Sequence, residues 1–196
     1  MWTLPNLISI ARIATIPVIV TLIWPGIEGR ETCFFAMVIY ALGGLSDMFD
    51  GYLARRMHQV TVLGKFLDPL SDKLFYLVTM VALLQLHRPR VPPVVVMIVL
   101  TRELAITGLR GIAISEGIVI DANEGGKVKT TIGTIGMCAL LLHYPYLINY
   151  GPFSTLVDFH IVGWWLTIIA VAVSVTSGAM YVRGFLTALA AHRRPS

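Results

Sequence analysis

The fold of this chain is decided by residues 47–72, which read DMFDGYLARRMHQVTVLGKFLDPLSD and lie between two apolar stretches. This acidic segment carries four carboxylates: Asp47, Asp50, Asp68 and Asp72. A charged side chain at the centre of a membrane helix costs about 2.5–3.5 kcal/mol on insertion scales, so packing alone does not explain four of them. Carboxylate oxygens gathered in this way suit a divalent cation such as Mg²⁺ or Mn²⁺. The acidic segment therefore predicts a metal site at the surface of a bilayer.

The composition is that of a polytopic membrane protein. Of the 196 residues, 56% are apolar and 13% are charged, and the mean hydropathy is +0.77. Soluble domains carry about 25% charged residues. Cys33 and Cys138 lie in apolar runs and have neither metal-ligand spacing nor a disulfide pattern. The net charge of +4 suits anionic lipid headgroups in a bilayer rather than nucleic acid.

Six apolar spans predict an all-α integral membrane protein that forms a single domain over residues 1–196. We expect the spans at about residues 5–24, 32 to the Asp47 region, 64–86, 92–115, 128–147 and 155–186. No internal repeat accompanies them. A cation channel or transporter with an acidic site is the alternative from another functional class. Many transporters show inverted repeats and broken helices, and this sequence shows neither.

The distribution of Lys and Arg predicts the orientation of the spans. Eight basic residues fall on the side of the acidic segment: Arg55, Arg56, Lys65, Lys127, Lys129, Arg183, Arg193 and Arg194. Three fall on the other side: Arg30, Arg88 and Arg90. We therefore expect both termini, the acidic segment and the loop at residues 116–130 on the cytoplasmic side of the cell membrane. The Arg88 and Arg90 pair is the exception to this pattern.

Both halves of the acidic segment have helical spacing. On the second predicted helix, positions i, i+3, i+4 and i+7 share one face and are occupied by Asp47, Asp50, Gly51 and Ala54. On the third, positions i, i+4 and i+8 share a face and are occupied by Gly64, Asp68 and Asp72. The short basic link between these helices makes them antiparallel neighbours. Their acidic faces can therefore converge.

Small and basic residues accompany the carboxylates. Gly51, Ala54 and Gly64 leave space through which a ligand can reach the aspartates. Arg55 and Lys65 offer positive charge to a diphosphate. Small residues also serve simply to pack helices together, with acids paired to basic residues. Four aspartates on two matched faces favour a ligand site over such packing.

The pattern Asp-x-x-Asp-Gly-x-x-Ala-Arg, eight residues, Gly-x-x-x-Asp-x-x-x-Asp resembles the signature of the CDP-alcohol phosphotransferase family, with every position filled. The resemblance implies six membrane helices and an enzyme that displaces CMP from a CDP-linked substrate. It implies that Asp47, Asp50 and Asp68 bind one or two divalent metals, with Asp72 at the second metal or acting as base. The residues expected to bind the CDP moiety are Asp47, Asp50, Gly51, Ala54, Arg55 and Gly64.

Basic residues in the second half of the chain bear on the acceptor alcohol. Arg102 and Arg110 lie eight residues apart in the fourth span, and so on roughly one face of it. Lys127 and Lys129 follow in the next loop. Together these four cations predict a pocket for a phosphate on the acceptor. Two alternatives stay open: the lysines can anchor a helix end at headgroups, and Arg102 can pair with Glu103.

Further motifs resemble the branch of this family that uses sn-glycerol 3-phosphate. They are Asn6-x-x-Ser9-x-x-Arg12, Thr101-Arg102-Glu103, Leu109-Arg110 and Gly126-Lys127-x-Lys129-Thr130, with Ser9 where Thr is expected. The resemblance implies transfer of the phosphatidyl group from CDP-diacylglycerol to glycerol 3-phosphate, with release of CMP. The alternatives within the family are a CDP-alcohol type cardiolipin synthase, whose members share these motifs, and an inositol-phosphate synthase. The oligomeric state, a homodimer included, is left open by the sequence.

Overall fold

The computed structural model describes residues 4–57, 62–117, 125–149, 151 and 153–192. Within these ranges the chain forms six helices and one antiparallel two-stranded sheet. The elements are α1 (Leu4–Leu22), α2 (Arg30–Met57), α3 (Val62–Ala82), α4 (Pro93–Ser115), α5 (Gly125–Leu142), β1 (Pro145–Asn149), β2 (Ser154–Asp158) and α6 (Phe159–His192). The predominantly helical architecture is confirmed, and membrane crossing by all six helices stays a prediction.

In the described part of the chain, one helix is long and apolar enough to cross a membrane. It is the 32-residue stretch Phe159–Ala190 of α6, with a mean hydropathy of 1.8. Shorter apolar helices cover Asn6–Leu22 and Lys129–Leu142. Only 22% of the apolar window in α6 is buried. Since soluble proteins rarely expose large apolar surfaces, this exposure indicates association with a membrane.

Contacts between Cα atoms divide the chain into two compact units. The first unit comprises Met1–Pro92 and Thr134–Trp164, and so contains α1 to α3, the end of α5, the β-hairpin and the start of α6. The second comprises Pro93–Gly133 and Trp165–Ser196, and so contains α4, the start of α5 and most of α6. The single domain expected from the sequence stays a prediction.

An aromatic contact joins α2 to α3 in the core of the first unit. The rings of Tyr40 and Phe75 stack with their centroids 4.5 Å apart and their planes within 10°. Both side chains are buried. Gly43 lies against the same phenyl ring, and a Cβ added to it would be 2.7 Å from the Phe75 Cζ. A side chain at position 43 would therefore displace the Phe75 ring or the helix that carries it.

Arg90 resolves part of the exception in the charge pattern. Its side chain is buried, and its Nη1 donates to the backbone carbonyls of Leu140 and Leu141 at 3.0 and 2.9 Å. Its Nη2 donates to Cys33 Sγ at 3.1 Å. The last carbonyls of a helix lack partners within the helix, and a cation there is favourable. Arg90 is thus a cap for α5 rather than a loop charge, which leaves Arg88 as the exposed exception.

The prediction that the fifth helix runs to about Leu147 and that the sixth begins at about Thr155 is wrong. The α5 helix ends at Leu142, and both predicted helix ends form a β-hairpin instead. His143 takes up the left-handed conformation, with φ of 57°, which stops the helix. Pro145 follows and cannot donate a helical hydrogen bond. The short segment at residues 143–147 fits either the end of a helix or a strand, because periodicity does not distinguish them over so few residues.

Arg30 of α2 contacts the hairpin, and two histidines meet where the hairpin joins α5 and α6. Arg30 donates to the Pro145 carbonyl at 3.1 Å, and its guanidinium lies 4.3 Å from the centre of the Tyr146 ring. On the other side, the His143 and His160 rings meet edge to face at 4.9 Å. Burial, with smaller contributions from Arg90 and His160, lowers the pKa of His143 to about 4. His143 is therefore neutral at physiological pH.

Candidate active site

The acidic segment forms the end of α2 and the start of α3. Asp47 and Asp50 belong to α2, and Asp68 and Asp72 belong to α3. The Asp72 side chain is exposed to solvent. The side chains of the other three aspartates lie outside the described part of the chain, and so do those of Ala54, Arg55 and Lys127 and the surroundings of Gly51 and Gly64.

The contact between Gly43 and Phe75 fixes how α2 and α3 are aligned. The link between the helices, residues 58–61, is four residues long, so α2 and α3 run antiparallel. Both helices rise by about 1.5 Å per residue. A step forward along α2 from Gly43 therefore corresponds to a step backward along α3 from Phe75.

Counting residues from this contact predicts which positions of the two helices lie at the same level. Four residues from the contact, Asp47 in α2 is level with Ser71 in α3, beside Asp72. Three residues further on, Asp50 is level with Asp68. The four carboxylate-bearing positions thus occupy two adjacent levels of one helix pair. A donor set of four carboxylates fits Mg²⁺ or Mn²⁺, which prefer oxygen ligands.

The described side chains alone do not make up a metal site. Among them, no group of three or more His, Cys, Asp or Glu lies close enough to hold an ion. Of the four predicted ligands, only Asp72 is in that set. The predicted ligand roles of Asp47, Asp50 and Asp68 therefore stay predictions, supported by the alignment of their helices.

A buried polar row on α1 also belongs to this region. Asn6, Ser9 and Arg12 recur every third residue and are only 1%, 2% and 3% exposed. Arg12 Nε donates to the Gly43 carbonyl of α2 at 3.1 Å. Because α1 and α2 are consecutive antiparallel helices, Ser9 is about level with Ser46, and Asn6 lies a turn closer to the aspartates. The sequence had marked these residues only by their resemblance to a motif.

The predicted acceptor cations belong to the second unit, where Glu103 joins two of them. Arg102 Nη1 donates to Glu103 at 2.9 Å, and Lys129 Nζ forms an ion pair with the same carboxylate oxygen. Arg102 also reaches α6, where its Nε donates to the Ser174 carbonyl and its Nη2 to Ser177 Oγ, both at 3.1 Å. The structural alternative for Arg102 thus has direct support, because its guanidinium ties α4 to α6.

The two other predicted cations are Arg110 and Lys127. Arg110 lies on α4, eight residues after Arg102, and its side chain is exposed. Lys127 lies in the first turn of α5. An exposed guanidinium can present two parallel hydrogen bonds to a phosphate. Of the predicted acceptor cations whose side chains the structure describes, Arg110 is the exposed one, and its guanidinium is accessible to a soluble anion.

Comparison with known proteins agrees with the signature in the acidic segment. The family model for CDP-alcohol phosphatidyltransferase matches residues 2–177. A CDP-diacylglycerol–glycerol-3-phosphate 3-phosphatidyltransferase from Bacillus subtilis is 37% identical, over 84% of this chain and 93% of that protein. One of the same name from Rickettsia typhi is 33% identical over 72% and 78%. A CMP-forming cardiolipin synthase from Streptomyces coelicolor is 39% identical over 56% and 51%. The chain belongs to the CDP-alcohol phosphatidyltransferase family.

Proposed function

We propose that this protein transfers the phosphatidyl group of CDP-diacylglycerol to sn-glycerol 3-phosphate, giving phosphatidylglycerophosphate and CMP in phospholipid biosynthesis. The observation that carries the proposal is 37% identity, across most of both chains, to a CDP-diacylglycerol–glycerol-3-phosphate 3-phosphatidyltransferase. The filled aspartate signature supports the same chemistry, because each of its positions is present in residues 47–72.

The acidic segment provides the chemistry of the transfer. Asp47, Asp50 and Asp68 would hold one or two divalent ions, with Asp72 at the second ion or acting as base. When bound, Mg²⁺ or Mn²⁺ neutralises phosphate charge and stabilises the departing CMP. The acceptor hydroxyl attacks the phosphatidyl phosphorus, and the bond from that phosphorus to the CMP oxygen breaks. As base, Asp72 accepts the hydroxyl proton, a role that its exposed carboxylate on α3 supports.

The nucleotide and the acceptor phosphate need different residues. Gly51, Ala54 and Gly64 would leave room for the CDP moiety, and Arg55 would neutralise its diphosphate. For the acceptor phosphate, exposure favours Arg110 as a direct ligand, and we assign Lys127 to the same role. Arg102 and Lys129 share Glu103, so we expect these two residues to position the pocket as well as to contribute charge.

We place the enzyme in the cell membrane as a multi-pass protein with six spans and with its site and both termini on the cytoplasmic side. The apolar and largely exposed α6 supports membrane insertion. The basic residues that flank the acidic segment support the orientation. A bilayer location also suits the donor, because the acyl chains of CDP-diacylglycerol are held in the membrane.

A CMP-forming cardiolipin synthase is the second candidate, since one such protein is 39% identical over about half of each chain. A single assay separates the candidates. The purified protein is given CDP-diacylglycerol with glycerol 3-phosphate, phosphatidylglycerol or an inositol phosphate, and CMP release is followed. We expect release with glycerol 3-phosphate. Release with phosphatidylglycerol alone would identify a cardiolipin synthase and overturn the acceptor that we propose, while the metal chemistry would survive.

A further inference from the structure

Arg12 is a buried cation that the proposed chemistry does not use. It lies in the apolar helix α1 with a side chain only 3% exposed. Charged side chains are almost never fully buried without partners. A described partner is the carbonyl oxygen of Gly43 in α2, which accepts from Arg12 Nε at 3.1 Å.

The Gly43 carbonyl has a special place in α2. In an α-helix the carbonyl of residue i accepts from the N–H of residue i+4, so the helical partner of Gly43 is the N–H of Asp47. The preceding carbonyl, that of Leu42, accepts from Ser46 Oγ at 2.8 Å. Two consecutive carbonyls of the turn before Asp47 therefore receive side-chain hydrogen bonds. Such bonds compete with the helical ones and often bend a helix.

The same turn is also the point at which three helices meet. Arg12 of α1 contacts Gly43 through its carbonyl, and Phe75 of α3 lies against its Cα, where a Cβ would come within 2.7 Å of the ring. Gly44 follows, and glycine is a much weaker helix former than alanine. The conformation of this turn is therefore set by its contacts more than by its own sequence.

We propose that Arg12 is a positioning residue for the first metal-ligating aspartate, an inference that rests on the metal-binding role proposed above. By holding the Gly43 carbonyl, Arg12 fixes the path of α2 one turn before Asp47. Since the ligands of a divalent ion must meet it at about 2.0–2.6 Å, a small change in this path moves Asp47 out of range. In this proposal Arg12 acts on the ion through the backbone of α2.

Two substitutions separate the hydrogen bond from the charge. In Arg12→Gln the amide nitrogen is bonded to Cδ, as Nε is in arginine, so the donor to Gly43 is kept while the charge is lost. In Arg12→Met neither donor nor charge remains, and the apolar chain suits a buried site in α1. If only the charge mattered, both variants would bind a cation equally and more tightly, because a repelling charge had been removed.

The measurement is Mn²⁺ binding by the purified full-length protein in detergent, without nucleotide or lipid substrate, followed by electron paramagnetic resonance. We expect Arg12→Met to raise the Kd for Mn²⁺ about tenfold or more. We expect Arg12→Gln to stay within about threefold of the original protein. Asp47→Asn, which removes a proposed ligand directly, sets the upper limit of the loss.

Arg90→Met is the matched control. Arg90 is also buried in the first unit and also donates to helix carbonyls, those of Leu140 and Leu141. Its contact on α2 is Cys33, fourteen residues before Asp47 and so about 21 Å away along the helix. This variant is expected to lower the Tm without changing the Kd for Mn²⁺.

The results that overturn the inference are distinct. An unchanged or lower Kd in Arg12→Met would exclude positioning, and so would equal losses in Arg12→Met and Arg12→Gln. If Arg12→Met does not fold, Arg12→Gln decides alone, and a tenfold weaker affinity in it would refute the role of the Gly43 bond. If the original protein bound no Mn²⁺, the proposed metal role would fail as well, whereas normal binding with a failed Arg12 test would leave it intact.

Discussion

At the scale of single residues, the contacts of three arginines reveal roles that the sequence alone does not. Arg12, Arg90 and Arg102 all read as cations in or beside apolar segments, and each donates to a backbone carbonyl. A guanidinium has five donors and no acceptor, so a buried one needs several oxygens around it. Their roles as clamps between helices could not be predicted from the sequence, because the partners lie 31 to 72 residues away along the chain.

The aspartates are the residues whose chemistry the sequence does predict, and their substitution tests it. Asp47→Asn and Asp68→Asn remove a charged ligand but keep the size of the side chain. We expect each to lower CMP release by at least about a hundredfold, since hydrogen bonds and contacts to a charged group are worth about 1.5–3 kcal/mol each and the loss here includes the ion. Excess chelator should abolish release, and added Mn²⁺ should restore it.

Asp158→Asn is the control for these variants. Asp158 is the last residue of β2 and directly precedes α6, where its carboxylate accepts from the backbone N–H of His160 at 2.9 Å and of Ile161 at 3.3 Å. Asparagine caps a helix nearly as well as aspartate, so both stability and activity should be kept. Full activity of Asp47→Asn, or of the original protein in excess chelator without tightly held metal, would refute the metal site.

The acceptor cations make a second prediction about single residues. Arg110→Ala and Lys127→Ala each remove a charge-assisted bond to phosphate, worth about 1.5–3 kcal/mol. One decade corresponds to about 1.4 kcal/mol, so the KM for glycerol 3-phosphate should rise about tenfold to a hundredfold. The KM for CDP-diacylglycerol should change little. Equal effects on both KM values would show that these residues do not select the acceptor.

Arg102→Ala is expected to behave differently from Arg110→Ala. Its loss removes the bonds to Ser174 and Ser177 that tie α4 to α6, and it leaves the Glu103 carboxylate with Lys129. We therefore expect a lower Tm for Arg102→Ala. The Tm of Arg110→Ala should stay unchanged, because the Arg110 side chain is exposed. Steady-state kinetics and thermal unfolding of the same two preparations distinguish a positioning role from direct binding.

At the scale of elements, the helices were predictable wherever a long apolar run ended at a clear signal. The fourth predicted span opened at Pro92 and Pro93, and α4 begins at Pro93, because proline suits the first turn of a helix. The β-hairpin was not predictable in this way. Its strands pair residues 145–149 with 154–158, and their sequences, PYLIN and STLVD, are too short for periodicity to distinguish a strand from the end of a helix.

The junction between α5 and the hairpin predicts a pH dependence. The pKa of His143 is lowered from 6.5 to about 4 in the folded protein, so between these values the unfolded chain binds more protons. The free energy of unfolding therefore rises with pH across that window. The contribution of neutral His143 to it is lost as the pH falls from about 6.5 towards 4. His143→Asn keeps a residue that tolerates the left-handed conformation but does not titrate. Its Tm should fall less than that of the original protein between pH 7 and pH 5, and equal falls would contradict the assignment.

At the scale of the whole molecule, the aspartates of the candidate site were easier to propose from the sequence than the buried polar row on α1. The aspartates could be proposed as ligands because carboxylates in an apolar chain require an explanation, and their spacing of three and four residues matches a helix. The row of Asn6, Ser9 and Arg12 has the same kind of spacing, but its burial depends on α2 and α3 covering that face of α1. A single sequence does not show which face a neighbouring helix covers.

Orientation in the membrane is the property of the whole molecule on which the proposed reaction depends. The positive-inside pattern becomes clearer once Arg90 is recognised as a buried cap, since Arg30 and Arg88 then remain on the far side. Single cysteines test it in a background in which Cys138→Ala and Cys33→Ser remove the native thiols. Serine at position 33 keeps an oxygen that can accept from Arg90, so the packing around that cap is preserved.

In that background we expect Gln59→Cys, in the link between α2 and α3, to react with an impermeant thiol reagent only from the cytoplasmic side. Asn149→Cys, at the exposed end of β1, should react only from outside. Labelling of intact cells and of inverted vesicles measures both. The opposite pattern would place the acidic segment outside the cell, where a CDP-linked donor and glycerol 3-phosphate made in the cytoplasm could not reach it. Labelling from one side only therefore tests the orientation and the access of both substrates together.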